Sequence, residues 1–176
     1  MTASKPDFNT TEHFAVLGLG SNVGSDSEKW AALRAACGHL SAHPAVRITA
    51  RSSVYRTPPW GETDQPEFLN AAVRVATRLD PADLLDVVKA IEHQMGRVPT
   101  YRWGPRVIDI DILLYDMVLL DTPPLTIPHQ HLLARDFACL PALEAAPDAL
   151  LPGGVPLREA AARLFQSAVL ERVGPL

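Results

Sequence analysis

No segment of this chain is continuously apolar for the length of a membrane span, and Met1 to Glu12 is polar, without the apolar run of a secretory signal. A membrane anchor and export are therefore not expected, and a cytoplasmic protein is. Cysteine is scarce. Cys37 and Cys139 show neither metal-ligand spacing nor a nearby set of catalytic partners, so both read as buried thiols in a reducing compartment. Positive charge is also in short supply: a formal net charge of -4 draws the chain neither to nucleic acid nor to an anionic membrane. Any anionic substrate must then be met by a local group of arginines. Internal repeats and low-complexity segments are missing as well. What is present is a 47% hydrophobic composition over 176 residues, enough for one compact core and too little for two ordinary domains. The expected organisation is a disordered tail over residues 1–12 followed by a single domain over 13–176, working as a monomer.

Periodicity supplies the elements. Phe14 to Gly20 is a short apolar run interrupted by glycines, the pattern of a fully buried central strand. Ser25 and Glu28 form a capping-box pair opening a helix with the stripe Trp30, Leu33, Cys37 and Leu40, which ends before Pro44. From Val46 to Tyr55 the period is two, predicting a second strand with one buried face. Arg56 to Glu67 holds Pro58, Pro59, Gly61 and Pro66, which break that strand and predict a long functional loop, a candidate lid. Phe68 to Thr77 predicts a third strand, with Leu69, Ala71, Val73 and Val75 on one face and Phe68, Asn70 and Ala72 on the other. Asp80-Pro81 starts a helix with Leu84, Leu85, Val88, Ile91 and Met95 on its apolar stripe and Gly96 as terminator. Val107 to Tyr115 predicts a fourth strand. This order suits an α+β fold, a ferredoxin-like βαββαβ antiparallel sheet with helices on one face. The remainder, with a hairpin around Val118 to Asp121 and helices near Phe137 to Ala145 and Leu157 to Leu164, is expected to cover the other face.

The most informative stretch runs from Arg102 to Leu113. Asp109 and Asp111, two apart on a strand, point to the same side while Ile108, Ile110 and Ile112 point into the core. Two like charges held this close repel unless a cation lies between them, and hard oxygen ligands suit magnesium carried in with nucleotide phosphates. Taken alone, the pair is more often an ion pair of one acid with Arg102 or Arg106 beside a solvated second acid. The neighbouring Arg97, Arg102 and Arg106, and Arg135 further on, shift the balance, since guanidinium forks grip the phosphate oxygens that magnesium bridges. Phe68 and Asn70 share a strand face, where a ring and an amide can stack on a flat heterocycle and read its edge; an ordinary second core face is the alternative. Gly18 to Gly24 sits where a dinucleotide fingerprint would, but its last glycine comes one residue too late, and the next strand ends without the ribose-binding acid. These glycines read as turn and packing residues. A non-catalytic regulatory module and an RNA-binding ferredoxin-like module are the competing readings; the retained acid pair and the acidic balance argue against each in turn.

Several motifs in order strengthen the enzyme reading: Gly18 to Asn22, Tyr55-Arg-Thr-Pro-Pro59, Asp64-Gln-Pro66, Phe68-Leu-Asn70, Glu92, Gly96-Arg97, Arg102 to Leu113 and Pro128-His129. On these the sequence strongly resembles the 6-hydroxymethyl-7,8-dihydropterin pyrophosphokinase family, from about Phe14 to Pro147. The resemblance implies a three-layer α-β-α domain built on the ferredoxin-like core, and transfer of pyrophosphate from ATP to 6-hydroxymethyl-7,8-dihydropterin, with MgATP binding first and AMP leaving. It implies that Asp109 and Asp111 hold two magnesium ions, that Glu92, Arg97, Trp103, Arg106, Ile112, Thr126, His129 and Arg135 line the nucleotide and phosphate site, and that Arg97, Arg106 and Arg135 act in catalysis. Thr57, Pro58, Trp60, Phe68, Asn70 and Phe137 would frame the pterin, the two phenylalanines stacking on its faces. The chain departs from the family pattern in a loop over residues 98–101 that is one residue shorter than in many relatives. Pro99 and Pro124 stand where arginine is common, and Phe68 and Gln130 where tyrosine is familiar.

Overall fold

The computed structural model of the chain describes residues 11–59, 64–97, 104–162, 164 and 170–176. In chain order its elements are β1 (His13–Ser21), α1 (Asp26–Ala42), β2 (Val46–Arg51), β3 (Ser53–Thr57), β4 (Phe68–Thr77), α2 (Pro81–Gln94), β5 (Asp109–Tyr115), β6 (Leu120–Thr122), β7 (Leu125–Ile127), α3 (Asp136–Ala145), α4 (Leu157–Ala160) and β8 (Glu171–Pro175). The glycine-broken apolar run does form the sheet's interior: β1 pairs antiparallel with β4 on one side and β5 on the other. The main path across the sheet is β5-β1-β4-β3-β8, with β2 also paired to β4.

Each side of the sheet carries its own apolar layer. Ala15, Leu17 and Leu19 of β1 pack with Leu33 and Leu40 of α1 and Leu84 and Val88 of α2. Val16, Ala72 and Leu113 on the reverse face pack with Cys139 and Ala142 of α3 and Leu157 of α4. Burying one such leucine contributes about 1.5–3 kcal/mol, so both helical layers are held mainly by this contact. Both cysteines are buried free thiols. α1 begins with the expected capping box at Ser25 and Glu28, and α2 with the Asp80 cap and Pro81 in its first turn.

Four segments differ from the periodicity reading. The expected single strand from Val46 to Tyr55 is divided at Ser52. Its N–H donates to the Ala72 carbonyl at 2.9 Å, while its hydroxyl accepts from the Ala72 N–H at 2.8 Å and donates to the Ser53 carbonyl at 2.7 Å. A hydroxyl that stands in for a backbone partner lets the chain bend without an orphaned amide. The hairpin expected around Val118 to Asp121 instead turns at Pro123-Pro124, between β6 and β7, and α4 ends at Ala160. β8 has no apolar alternation to announce it, yet it pairs with β3 from Ser53↔Pro175 to Arg56↔Glu171 and covers that strand's edge.

Candidate active site

The acids and the glycines meet across one strand pair. In the β1–β5 register Gly18 lies opposite Asp111 and Gly20 opposite Asp109. A Cβ on Gly20 would come within 2.8 Å of the Asn70 Oδ1, and one on Gly18 within 3.2 Å of Leu113. The glycines therefore leave open the floor of a cleft that a side chain would fill. Asp109, Asp111, Arg106, Arg135 and His129 line this cleft together with Thr57, Pro58, Phe68, Asn70 and Phe137. Strand alternation turns both acids into the cleft while Ile110 and Ile112 face the α1/α2 core. The Asn70 Nδ2 donates to the Thr57 Oγ1 at 2.7 Å, which fixes the orientation of the amide at the end of the cleft nearest Phe68.

Charge at the other end is tightly paired. Asp109 accepts from Arg106 and pairs with Arg97 at 2.7 Å, and Arg97 also pairs with Glu92. Glu92 does not line the cleft. It is buried behind it, accepting from the Ile110 N–H at 2.7 Å and pairing with Lys89 at 3.0 Å, so it anchors Arg97 and the start of β5. Burial opposes ionisation of Asp109, but Arg106 and Arg97 hold its carboxyl below the ordinary value. At Asp111 burial and then the charge of Asp109 outweigh the pull of Lys89 and Arg106 and push its carboxyl up to about 6. The result is a half-buried carboxylate pair with room for positive charge beside Asp111, which fits a divalent cation with oxygen ligands. Among the described residues no group of three or more His, Cys, Asp or Glu side chains forms a complete cage. A cation that brings phosphate oxygens with it needs none.

Arg135 precedes α3 and lies 5.7 Å from the Phe137 ring centroid, so this segment gives the cleft both a cation and an aromatic face. His129 is held by its backbone N–H to the Leu113 carbonyl at 2.9 Å, and its Nδ1 accepts from the His131 N–H at 3.2 Å. Burial, then the nearby charge of Arg135, push its ring down to about 4. Ile112 and Thr126 lie in an adjoining cleft that shares Asp111 and His129 with the first. Trp60, Trp103, Arg102 and the loop 98–101 lie outside the described residues.

The residue reading did not anticipate the parts of Asn22, Gln65 and Lys89. Asn22 is fully buried: its Nδ2 donates to the Gln65 Oε1 at 2.9 Å, and its Oδ1 accepts from the Arg106 N–H at 2.7 Å. For Lys89, the spacing of three from Glu92 on a helix was a usable signal. Asn22 and Gln65 stand 43 positions apart, and nothing in either motif marks them as partners.

Comparison with known proteins identifies the family. The family model of 7,8-dihydro-6-hydroxymethylpterin-pyrophosphokinase (HPPK) matches residues 16–147. A 2-amino-4-hydroxy-6-hydroxymethyldihydropteridine pyrophosphokinase of Methylorubrum extorquens is 51% identical over 159 residues, covering 90% of this chain and 98% of its own. The Pseudomonas aeruginosa protein of the same name is 44% identical over 141 residues, covering 80% of this chain and 85% of its own. Crystal structures of Plasmodium falciparum HPPK-DHPS share the fold at a TM-score of 0.66 and 17% identity, covering 89% of this chain, which spans 43% of theirs. The chain belongs to the 7,8-dihydro-6-hydroxymethylpterin-pyrophosphokinase family, enzymes that transfer pyrophosphate from ATP to hydroxymethyldihydropterin in folate biosynthesis.

Proposed function

We propose that the chain's own residues divide this transfer between the two ends of the cleft. The observation that carries the reading is that one cleft is lined by Asp109 and Asp111, by Arg106 and Arg135, and by Phe68, Asn70 and Phe137. The flat pterin ring stacks between Phe68 and Phe137, and its polar edge is read by Asn70, whose amide Thr57 orients. Pro58 completes that end, and the family resemblance adds Trp60 to the pterin contacts. The nucleotide lies along His129, Ile112 and Thr126, where a neutral imidazole accepts or donates without repelling the arginines, and the family resemblance adds Trp103 to this set.

Asp109 and Asp111 would hold two magnesium ions, which would neutralise charge on the phosphate oxygens. Arg97 and Arg106, now paired with Asp109, gain phosphate oxygens as partners when ATP arrives, which releases Asp109. That exchange supports binding of MgATP before the pterin. The hydroxymethyl oxygen of the pterin attacks the β-phosphorus in line. The bond from that phosphorus to the bridging oxygen breaks, AMP leaves with that oxygen, and the hydroxyl proton departs on the Asp111 side. Arg106 and Arg135 stabilise the charge that develops on the phosphates. The same reading makes the protein a cytoplasmic monomer; among the described residues no helix is long and apolar enough to cross a membrane.

The test is AMP formation from MgATP with 6-hydroxymethyl-7,8-dihydropterin, against an Asp109→Ala/Asp111→Ala control. AMP that requires both pterin and the two acids supports the assignment. Ligand binding without AMP would overturn it in favour of a non-catalytic module.

A further inference from the structure

Away from the charged end, one carboxylate ties three elements together. Glu144, in the last turn of α3, accepts from the Ser53 N–H at 2.9 Å, the Ser53 hydroxyl at 2.8 Å, the Tyr55 hydroxyl at 2.8 Å and Arg172 at 2.9 Å. Arg172 belongs to β8, and its Nε donates to the Ser53 Oγ at 2.6 Å, so the Ser53 hydroxyl is satisfied on both sides. Burial opposes the charge on Glu144, yet the Ser53 amide and hydroxyl, Tyr55 and Arg172 hold the carboxyl below its ordinary value. Tyr55 answers in kind, pushed up to about 12 by burial and the Glu144 carboxylate.

The elements joined here are the ones that build the aromatic end of the cleft. β3 runs from Ser53 to Thr57, about 13 Å of strand, and delivers Thr57 and Pro58 to the lining. α3 runs back from Glu144 to Phe137, about 10 Å of helix, and delivers Phe137 and Ala138. Neither Asp109 nor Arg106 touches the clamp. We infer that Glu144 is a positioning residue for the pterin half of the site: by fixing α3 against β3 it fixes Phe137 relative to Thr57, and Arg172 makes the C-terminal strand the third member of the clamp. This rests on the proposed pterin site.

The inference separates pterin from nucleotide, which a merely structural role would not do. Pterin binding would be followed by fluorescence in the presence of a non-hydrolysable ATP analogue and magnesium, and binding of that analogue alone by calorimetry. Glu144→Ala should weaken pterin binding about tenfold, the size of one lost charged hydrogen bond, and nucleotide affinity several-fold less, since Arg135 at the start of α3 is the nucleotide-side group this helix carries. Glu144→Gln, which still accepts from the Ser53 N–H, should recover part of the loss. Arg172→Ala should act in the same direction and less, because its side chain is 65% exposed. Folded Glu144→Ala protein with unchanged pterin affinity and only a lower Tm would overturn the inference, as would equal losses for both ligands. Should Glu144→Ala not fold, selective loss of pterin in Glu144→Gln or Arg172→Ala supports the clamp and unchanged pterin affinity in both refutes it. Failure of the wild-type protein to bind pterin would instead sink the site on which the inference stands.

Discussion

Asn22 and Arg106 hold each other through two hydrogen bonds: the Asn22 N–H donates to the Arg106 carbonyl at 3.1 Å, and the Arg106 N–H donates to the Asn22 Oδ1 at 2.7 Å. The same asparagine reaches Gln65, so one buried amide joins the end of β1, the segment entering β5 and the loop before β4. Arg106 can stay aimed at Asp109 because its backbone is fixed from behind.

Asn22→Ala should therefore cost stability and activity together. It leaves the Arg106 N–H without its side-chain acceptor in a part-buried site, a loss of about 1–3 kcal/mol. Urea unfolding should show that decrease with an unchanged slope, and kcat should fall more than the affinity for ATP. An unaltered kcat would mean that Arg106 is positioned by something else.

Gly20→Ala tests the floor of the cleft. The new methyl group would lie 2.8 Å from the Asn70 Oδ1, so the amide must turn and its 2.7 Å bond to Thr57 must break. Pterin affinity should fall about tenfold or more, since a misaligned polar group leaves a buried partner unpaired. Titration of pterin fluorescence reads this directly, and undiminished affinity would show that Asn70 does not read the ring.

Removing either acid, or the metal, should stop the transfer. Asp111→Asn should lower the rate of AMP formation at least about a hundredfold, a loss typical of a missing charge-stabilising group. EDTA should abolish AMP formation in the wild type, and added magnesium should restore it. Full activity in the Asp111 variant would remove that residue from the mechanism.

His129 predicts a pH dependence of stability in the ligand-free protein. Its ring titrates near 4 when folded, against an ordinary value of 6.5, so between these pH values the unfolded chain binds more protons. This contribution to stability is therefore complete above about pH 6.5 and is lost as pH falls towards 4. Because the ring is partly exposed, solvent screening leaves on the order of 1 kcal/mol. Denaturant unfolding of wild type and His129→Gln across that window should converge as pH falls; curves that stay parallel would contradict the assignment.

Local signals carried most of the secondary structure. β4 begins and ends where its alternation does, α1 and α2 start at the Ser25 and Asp80 caps, and the Asp109–Asp111 spacing placed both acids on one face. β8 was invisible for a physical reason. Glu171–Pro175 carries no apolar alternation and becomes a strand because β3 offers it an unpaired edge. Ser52 broke a strand whose period of two ran through it, because its hydroxyl competed with the backbone for Ala72. Glu92 read as a residue of the nucleotide site, yet its carboxylate works from behind, on Arg97 and the Ile110 N–H.

The alternation, the caps, the acid pair and the arginines that favour phosphate are local properties, each set by neighbours within a few positions. What those groups face is set by long-range packing. Gly18 opposite Asp111, Gly20 opposite Asp109, Asn22 on Arg106 and Glu144 on Ser53 are pairings between distant segments, fixed by sheet register and helix docking. Register depends on burying two apolar faces at once, a condition of the whole chain that no single motif contains.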